Sequence, residues 1–169
     1  MASNNYYIAT FRWSKMVWVI SILTTLLLVG TVVATLCVPE VANNKEAFVV
    51  MILILPLPFV CFALSPRRLY LIGNTLVIKR WVGSVTILTD DITSVSIADK
   101  MTILRSKRVM GNGGYFGYTG HFYSHLYGKF RMFATETTNL YLIRTKRQNF
   151  VISCSNEKLI EELKNKIKE

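Results

Sequence analysis

Hydrophobic and polar positions divide the chain into two regimes. Met16 to Pro39 holds no charged residue, and neither does Ala47 to Pro66, whereas the hundred or so residues that follow alternate apolar and polar positions over short stretches. At 1.5 Å per helical residue, the 23 positions from Met16 to Val38 extend about 34 Å, enough to cross a hydrocarbon core of roughly 30 Å. The pattern predicts a transmembrane helix over 16–38, preceded by a short segment, 1–15. Its Ser and Thr residues are tolerated because a hydroxyl can return a hydrogen bond to a carbonyl one turn back. Phe11, Trp13 and Trp18 lie beside Arg12 and Lys15 at its start, as residues of an interfacial belt do. A cleaved secretory signal is the alternative, but the apolar core is too long and Ala34-Thr35-Leu36 lacks the small residue expected before a lipid-modified Cys37.

The second run predicts a further span over 47–65, broken by Pro56-Leu57-Pro58. Two prolines remove two backbone donors and clash with the preceding turn, so a kinked span or a re-entrant segment is expected. The connection 39–46 is short enough to make the two spans antiparallel neighbours. Arg12 and Lys15 precede the first run, and Arg67 and Arg68 follow the second. The positive-inside rule then puts both termini in the cytoplasm and 39–46 outside.

The remainder, 67–169, reads as one soluble domain. Arg68–Ile72 and Thr75–Lys79 flank Gly73-Asn74, a two-residue hairpin signal. Further strands are predicted at Val85–Leu88, Ile92–Ile97, Met101–Arg105, Phe130–Ala134, Leu140–Arg144 and Asn149–Ser153, a spacing that argues for a small barrel or sandwich. The chain ends in a helix with Ser155 as its cap. Leu159, Ile160, Leu163 and Ile167 form its apolar stripe, which plugs the barrel or meets a coiled-coil partner.

Charge and cysteines add little chemistry. From Arg67 onward there are 17 Lys/Arg against 8 Asp/Glu, nearly all of the chain's net +10. Cys37 and Cys61 fall at different depths and Cys154 faces a reducing cytosol, so no disulfide is expected. No metal-ligand spacing occurs, and no cofactor is expected.

Paired N-terminal spans, then Leu76-Val-Ile-Lys79 and Ile87 through Asp91-Ile-Thr-Ser-Val95, resemble the opening of bacterial pleckstrin-homology-like (PH) domains. Phe133-Ala-Thr135, Leu140-Tyr-Leu-Ile143 and Phe150-Val-Ile-Ser153 ahead of the last helix extend that resemblance over 67–167. It implies an α+β domain, a bent seven-stranded barrel or sandwich capped by the C-terminal helix, carried on a membrane helical hairpin. Lipid-binding pleckstrin domains set basic residues around the first hairpin. Here that turn is Gly73-Asn74 without such a set, so phosphoinositide recognition is not implied.

Gly111 to Gly128 concentrates six of the nine glycines and six of the twenty aromatic residues. It reads as a loop or hairpin folded over the barrel, a membrane-touching loop, or a partner-binding loop. Arg105, Lys107, Arg108, Lys129 and Arg131 bracket it and, with Tyr115, Phe116, Tyr118 and Phe122, make up the candidate lipid or partner surface. Near a bilayer each basic residue contributes about 1 kcal/mol toward anionic headgroups. Gly114-Tyr-Phe-Gly-Tyr118 departs from an RNA-stacking strand by an inserted residue, and no nucleic-acid partner is expected. No Gly-Lys-Ser/Thr follows the glycines, no glutamate follows His121, and Asp90-Asp91 reads as a turn, so catalysis is not expected. A metal held by His121, His125 and Glu136 is the weakest reading. The expected function is a membrane-anchored binding or scaffold module. Its alternative is a self-assembling or partner-binding subunit of a membrane complex for transport or envelope maintenance.

Overall fold

A computed structural model describes residues 6–37 and 44–168. Residues 1–5 of the expected segment 1–15 and 39–43 of the expected external loop 39–46 lie outside the described residues. Ten strands form two sheets. The first sheet has the order β1 (Tyr6–Thr10), β2 (Pro66–Ile72), β3 (Thr75–Arg80), β4 (Ser84–Leu88). The second runs β5 (Ile92–Ile97), β9 (Leu140–Thr145), β10 (Asn149–Ser153), β8 (Gly128–Ala134), β7 (Tyr118–Ser124), β6 (Lys107–Gly113). All neighbours are antiparallel except β8 and β10, which run parallel with Val151 opposite Met132.

One of these strands was not expected, and two more realise the hairpin reading of the glycine-rich segment. Residues 6–10 pair with β2 from Tyr6 opposite Ile72 to Thr10 opposite Arg68. The domain therefore begins before the apolar runs, and the whole helical segment is an insertion between two adjacent strands. The other two, β6 and β7, come from the glycine-rich segment and form a hairpin. Gly111 and Gly120 face each other across it with φ of 133° and 131°, and a Cβ on either would strike the other's backbone. Only glycine allows strands to meet this way.

One expected strand is a helix. Lys100–Leu104 forms α4, because Asp99 Oδ2 accepts from both the amide and the hydroxyl of Thr102, satisfying donors that a helix start leaves free. A short apolar run does not reveal its period; the cap decides it here.

The first core lies between the sheets. Leu69, Leu71, Leu76, Ile78 and Ile87 point inward from the first sheet; Phe133, Ile143, Phe150 and Ile152 meet them from the second. α5 (Glu157–Lys168) lays Leu159, Ile160 and Leu163 onto this core as expected. At roughly 1.5–3 kcal/mol per fully buried Leu or Ile, that stripe secures the helix. α5 begins at Glu157, two residues after Ser155, whose hydroxyl donates to Glu136 Oε1 at 3.1 Å. On the other face of the second sheet, Phe130, Met132, Leu142 and Val151 pack with Phe122 and with Ile103 of α4. Being covered on both faces, β10 reads as an unbroken apolar run.

The first apolar run forms α1 (Lys15–Cys37), which among the described residues is the one helix long and apolar enough to cross a membrane. Thr25 Oγ1 donates to Ser21 O and Thr35 Oγ1 to Thr31 O, the backbone return that tolerates hydroxyls in such a run. The second run is not one long helix. It divides into α2 (Lys45–Ile54) and α3 (Pro56–Leu64), joined at Leu55, because Pro56 and Pro58 have no N–H for the carbonyls one turn back. Neither piece is long enough to be a span by itself.

Candidate functional site at the helix–domain junction

The tip of the β6–β7 hairpin reaches past the sheet and docks on the helices. Phe116 N–H donates to Ser21 Oγ at 2.9 Å, and Phe116 O accepts from Ser65 Oγ at 2.6 Å. Tyr115 Oη lies 3.1 Å from Thr25 Oγ1. The turn is held internally by Asn112, whose carbonyl oxygen accepts from Tyr115 N–H and whose amide donates to Tyr115 O. Phe116 has φ of 58°, a conformation uncommon for a bulky side chain. Its two backbone bonds and its ring contacts stabilise that geometry.

Phe116 is the hub of an aromatic chain. Its ring centroid is 5.6 Å from Trp13, 5.4 Å from Phe62 and 4.4 Å from Tyr115. Trp13 continues to Trp18 at 5.1 Å, and Phe62 to Trp81 at 4.9 Å. The Arg67 guanidinium covers the outer face of Trp81, 4.0 Å from its centroid. Such ring pairs add about 0.5–1.5 kcal/mol each beyond their buried area.

Thr135 secures the entry to α1. Fully buried, it donates through Oγ1 to Arg12 O at 2.7 Å, while its carbonyl accepts from Ser14 N–H at 3.0 Å. The exit from α3 is fastened by Val82 N–H to Ala63 O at 3.0 Å. Val17 and Ser21 are consequently buried although they lie in an otherwise exposed helix.

The residues proposed from sequence as one surface separate into three groups and a lone arginine. Tyr115 and Phe116 are half-buried in the junction. Phe122 is a core residue stacked on Phe130 at 5.9 Å and offers no surface; Tyr118 is half-buried against the same core, and burial pushes its hydroxyl pKa up. Arg105, Lys107, Arg108 and Lys129 are exposed, with the Arg108 guanidinium folded back toward Gly113. Arg131 stands apart: half-buried, with its guanidinium 5.0 Å above the Phe133 ring. His121 and His125 are both exposed, and among the described residues no three His, Cys, Asp or Glu side chains are grouped to hold a metal ion.

Sequence reasoning missed Ser21, Ser65, Thr135 and Trp81. Ser21 and Thr25 share one face of an aliphatic helix, a spacing that marks polar partners for something packed there. The partners of Ser65 and Thr135 are far away in sequence, and no local pattern carries them.

With this geometry established, the domain can be compared with known families. The family model described as a bacterial PH domain matches residues 67–167, more than half of the chain. The chain belongs to that family. No curated protein and no solved structure matches it. The PH domain of this chain includes β1, which lies outside the matched residues, on the N-terminal side of the helical insertion.

Proposed function

We propose that this protein is a bacterial inner-membrane anchor carrying a PH domain as a binding or scaffold module on the cytoplasmic face. In this reading α1 makes one crossing and α2–α3 the return crossing, kinked at Leu55. The carrying observation is the β1–β2 pairing: Phe11 N–H donates to Arg67 O at 3.1 Å, so the segment leaves and returns at one place. Supporting it, Arg12 and Lys15 flank the exit and Arg67 and Arg68 the return, as the positive-inside rule requires for a hairpin with a cytoplasmic base. Trp13, Trp18, Tyr115, Phe116 and Trp81 then form an aromatic collar at headgroup level. Arg105, Lys107, Arg108 and Lys129 supply exposed positive charge for anionic lipid.

Single-cysteine chains test the reading. In right-side-out vesicles, a membrane-impermeant maleimide should label Asn43→Cys directly and Ile8→Cys only after permeabilisation. Labelling of both from outside, or release of the chain by carbonate, overturns it.

A partner-binding reading is favoured by one observation. Edge strand β6 exposes Val109 at 65% and Met110 at 74%. Free strand edges with apolar side chains pair with other chains. In this reading the domains associate with one another or with a membrane complex. Concentration-dependent oligomers of the full chain in uncharged detergent, lost in Val109→Lys, support it; a monomer at all concentrations sinks it.

A further inference from the structure

Arg80 closes β3 and Arg131 lies midway along β8. Leu76 and Ile78 turn into the first core, and Arg80 is the next residue on that face; Phe133 faces the same core, and Arg131 precedes it by one strand repeat. Two guanidinium groups, one from each sheet, thus face the same interior. They do so at the helix-proximal end, where Arg80 pairs with Pro66 directly after α3. The turn is shaped around Arg80: its N–H donates to Gly83 O at 3.2 Å, and its Nη2 is 3.1 Å from where a Cβ on Gly83 would stand.

Among the described residues, Arg131 rests over the Phe133 ring, and Arg80 is left with one nitrogen short of a partner. Arg80 Nε is buried and has no hydrogen-bond partner. Burial first, and then the positive charge of Arg80, lower the pKa of Arg131. The domain's carboxylates have other duties or places: Asp99 caps α4, Glu136 accepts from Thr138 and Ser155, and Asp90 and Asp91 follow Leu88, which pairs with Thr75 at the end of β3 opposite Arg80. An unpaired buried donor beside a second like charge is costly, and native structures keep one where something else completes it.

We propose that Arg80 and Arg131 form a binding site for a phosphate-class anion between the two sheets, at the end of the PH domain next to the helices. Planar guanidinium forks bind phosphate oxygens in pairs, and an anion between them turns their repulsion into attraction. The phosphate belongs either to a lipid headgroup or to a soluble phosphate. Only the lipid source rests on the membrane-anchored reading.

The test uses the full chain in an uncharged maltoside detergent, which supplies no phosphate. Inorganic phosphate is titrated in one arm and phosphatidylglycerol is doped into the micelles in the other, each against chloride at matched ionic strength. The expected result is a saturable rise in unfolding midpoint of about 5 °C in at least one arm, with slower amide exchange at 79–83 and 129–133. A response to inorganic phosphate identifies a soluble ligand; a response to phosphatidylglycerol alone identifies a headgroup. Arg80→Gln and Arg131→Gln should lose the response, and the exposed control Arg144→Gln should keep it. Arg131→Met should raise the midpoint without anion, because it removes the repulsion; a purely structural arginine would lower it. The proposal is overturned if neither arm exceeds chloride, if Arg131→Gln responds like the unmodified chain, or if Arg131→Met lowers the anion-free midpoint. A chain that fails here yet resists carbonate extraction loses this site and keeps its anchor.

Discussion

Phe116 donates its amide to Ser21 on α1, 2.9 Å away, and accepts at its carbonyl from Ser65 at the end of α3, 2.6 Å away. One residue at the tip of a strand hairpin therefore ties the first and last helices of the insertion to the domain. Ser21→Ala removes the acceptor without adding bulk, leaving a part-buried amide unpaired. The expected cost is about 1–3 kcal/mol, read as a lower unfolding midpoint and faster exchange of the Phe116 amide. Ser21→Thr should retain most of the stability.

The glycine pair of the hairpin is expected to tolerate no side chain. In Gly120→Ala, the new Cβ would meet Met110 O and the Cα of Gly111. Backbone strain alone costs about 1–3 kcal/mol, and the collision adds to it. Denaturant unfolding should show a large loss. Gly30→Ala, with open space around it, should change little.

The fragment 67–169 lacks β1 and should be a poor domain. Without Ala9 and the pairing partner of β2, the first sheet gains an exposed edge. It is expected to unfold at lower denaturant than a chain in which residues 6–11 are joined to Arg67 by a tight turn. Equal midpoints would show that β1 contributes nothing.

The start of α4 should depend on pH. The Thr102 hydroxyl, followed by its amide, holds the Asp99 carboxyl below its ordinary value. With the folded pKa depressed, the contribution is present above the unfolded pKa of about 4 and is lost as pH falls through the folded value. Amide exchange across 100–105 should rise at that point, and Asp99→Asn should flatten the response.

Cys154 gives the opposite sign. Burial pushes its thiol pKa up, so the stability it contributes is present at neutral pH and is lost as pH rises through the folded value. It should resist maleimide in the native chain and react upon unfolding.

What was legible in the sequence is what depends on neighbours. The Gly73-Asn74 hairpin, the alternation of β2 and β3, the apolar stripe of α5 and the break at Pro56 all follow from residues within a few positions of one another. Illegible features depend on distant partners. Tyr6–Thr10 is a strand because β2 awaits it beyond the helices, and the glycine-rich segment takes its hairpin reading rather than a loop because two glycines meet face to face. Met101–Leu104 failed for another reason: four apolar or hydroxyl residues fit either period, and the Asp99 side chain selected the helix. Arg131 was recognised as basic, but its turn inward beside Arg80 is a property of two sheets coming together.

The insertion between β1 and β2 also sets an order of events during synthesis. β1 leaves the ribosome with the whole of α1, α2 and α3 still to come before its partner. The first sheet can close only when the chain that left at Thr10 lies beside β1 again at Pro66–Ile72. A helical segment that stalls partway strands β1 from β2 and leaves Leu69 and Leu71 uncovered along an open edge. Completion of the domain is thus a built-in report that the preceding segment has come back, available before any partner or ligand is met.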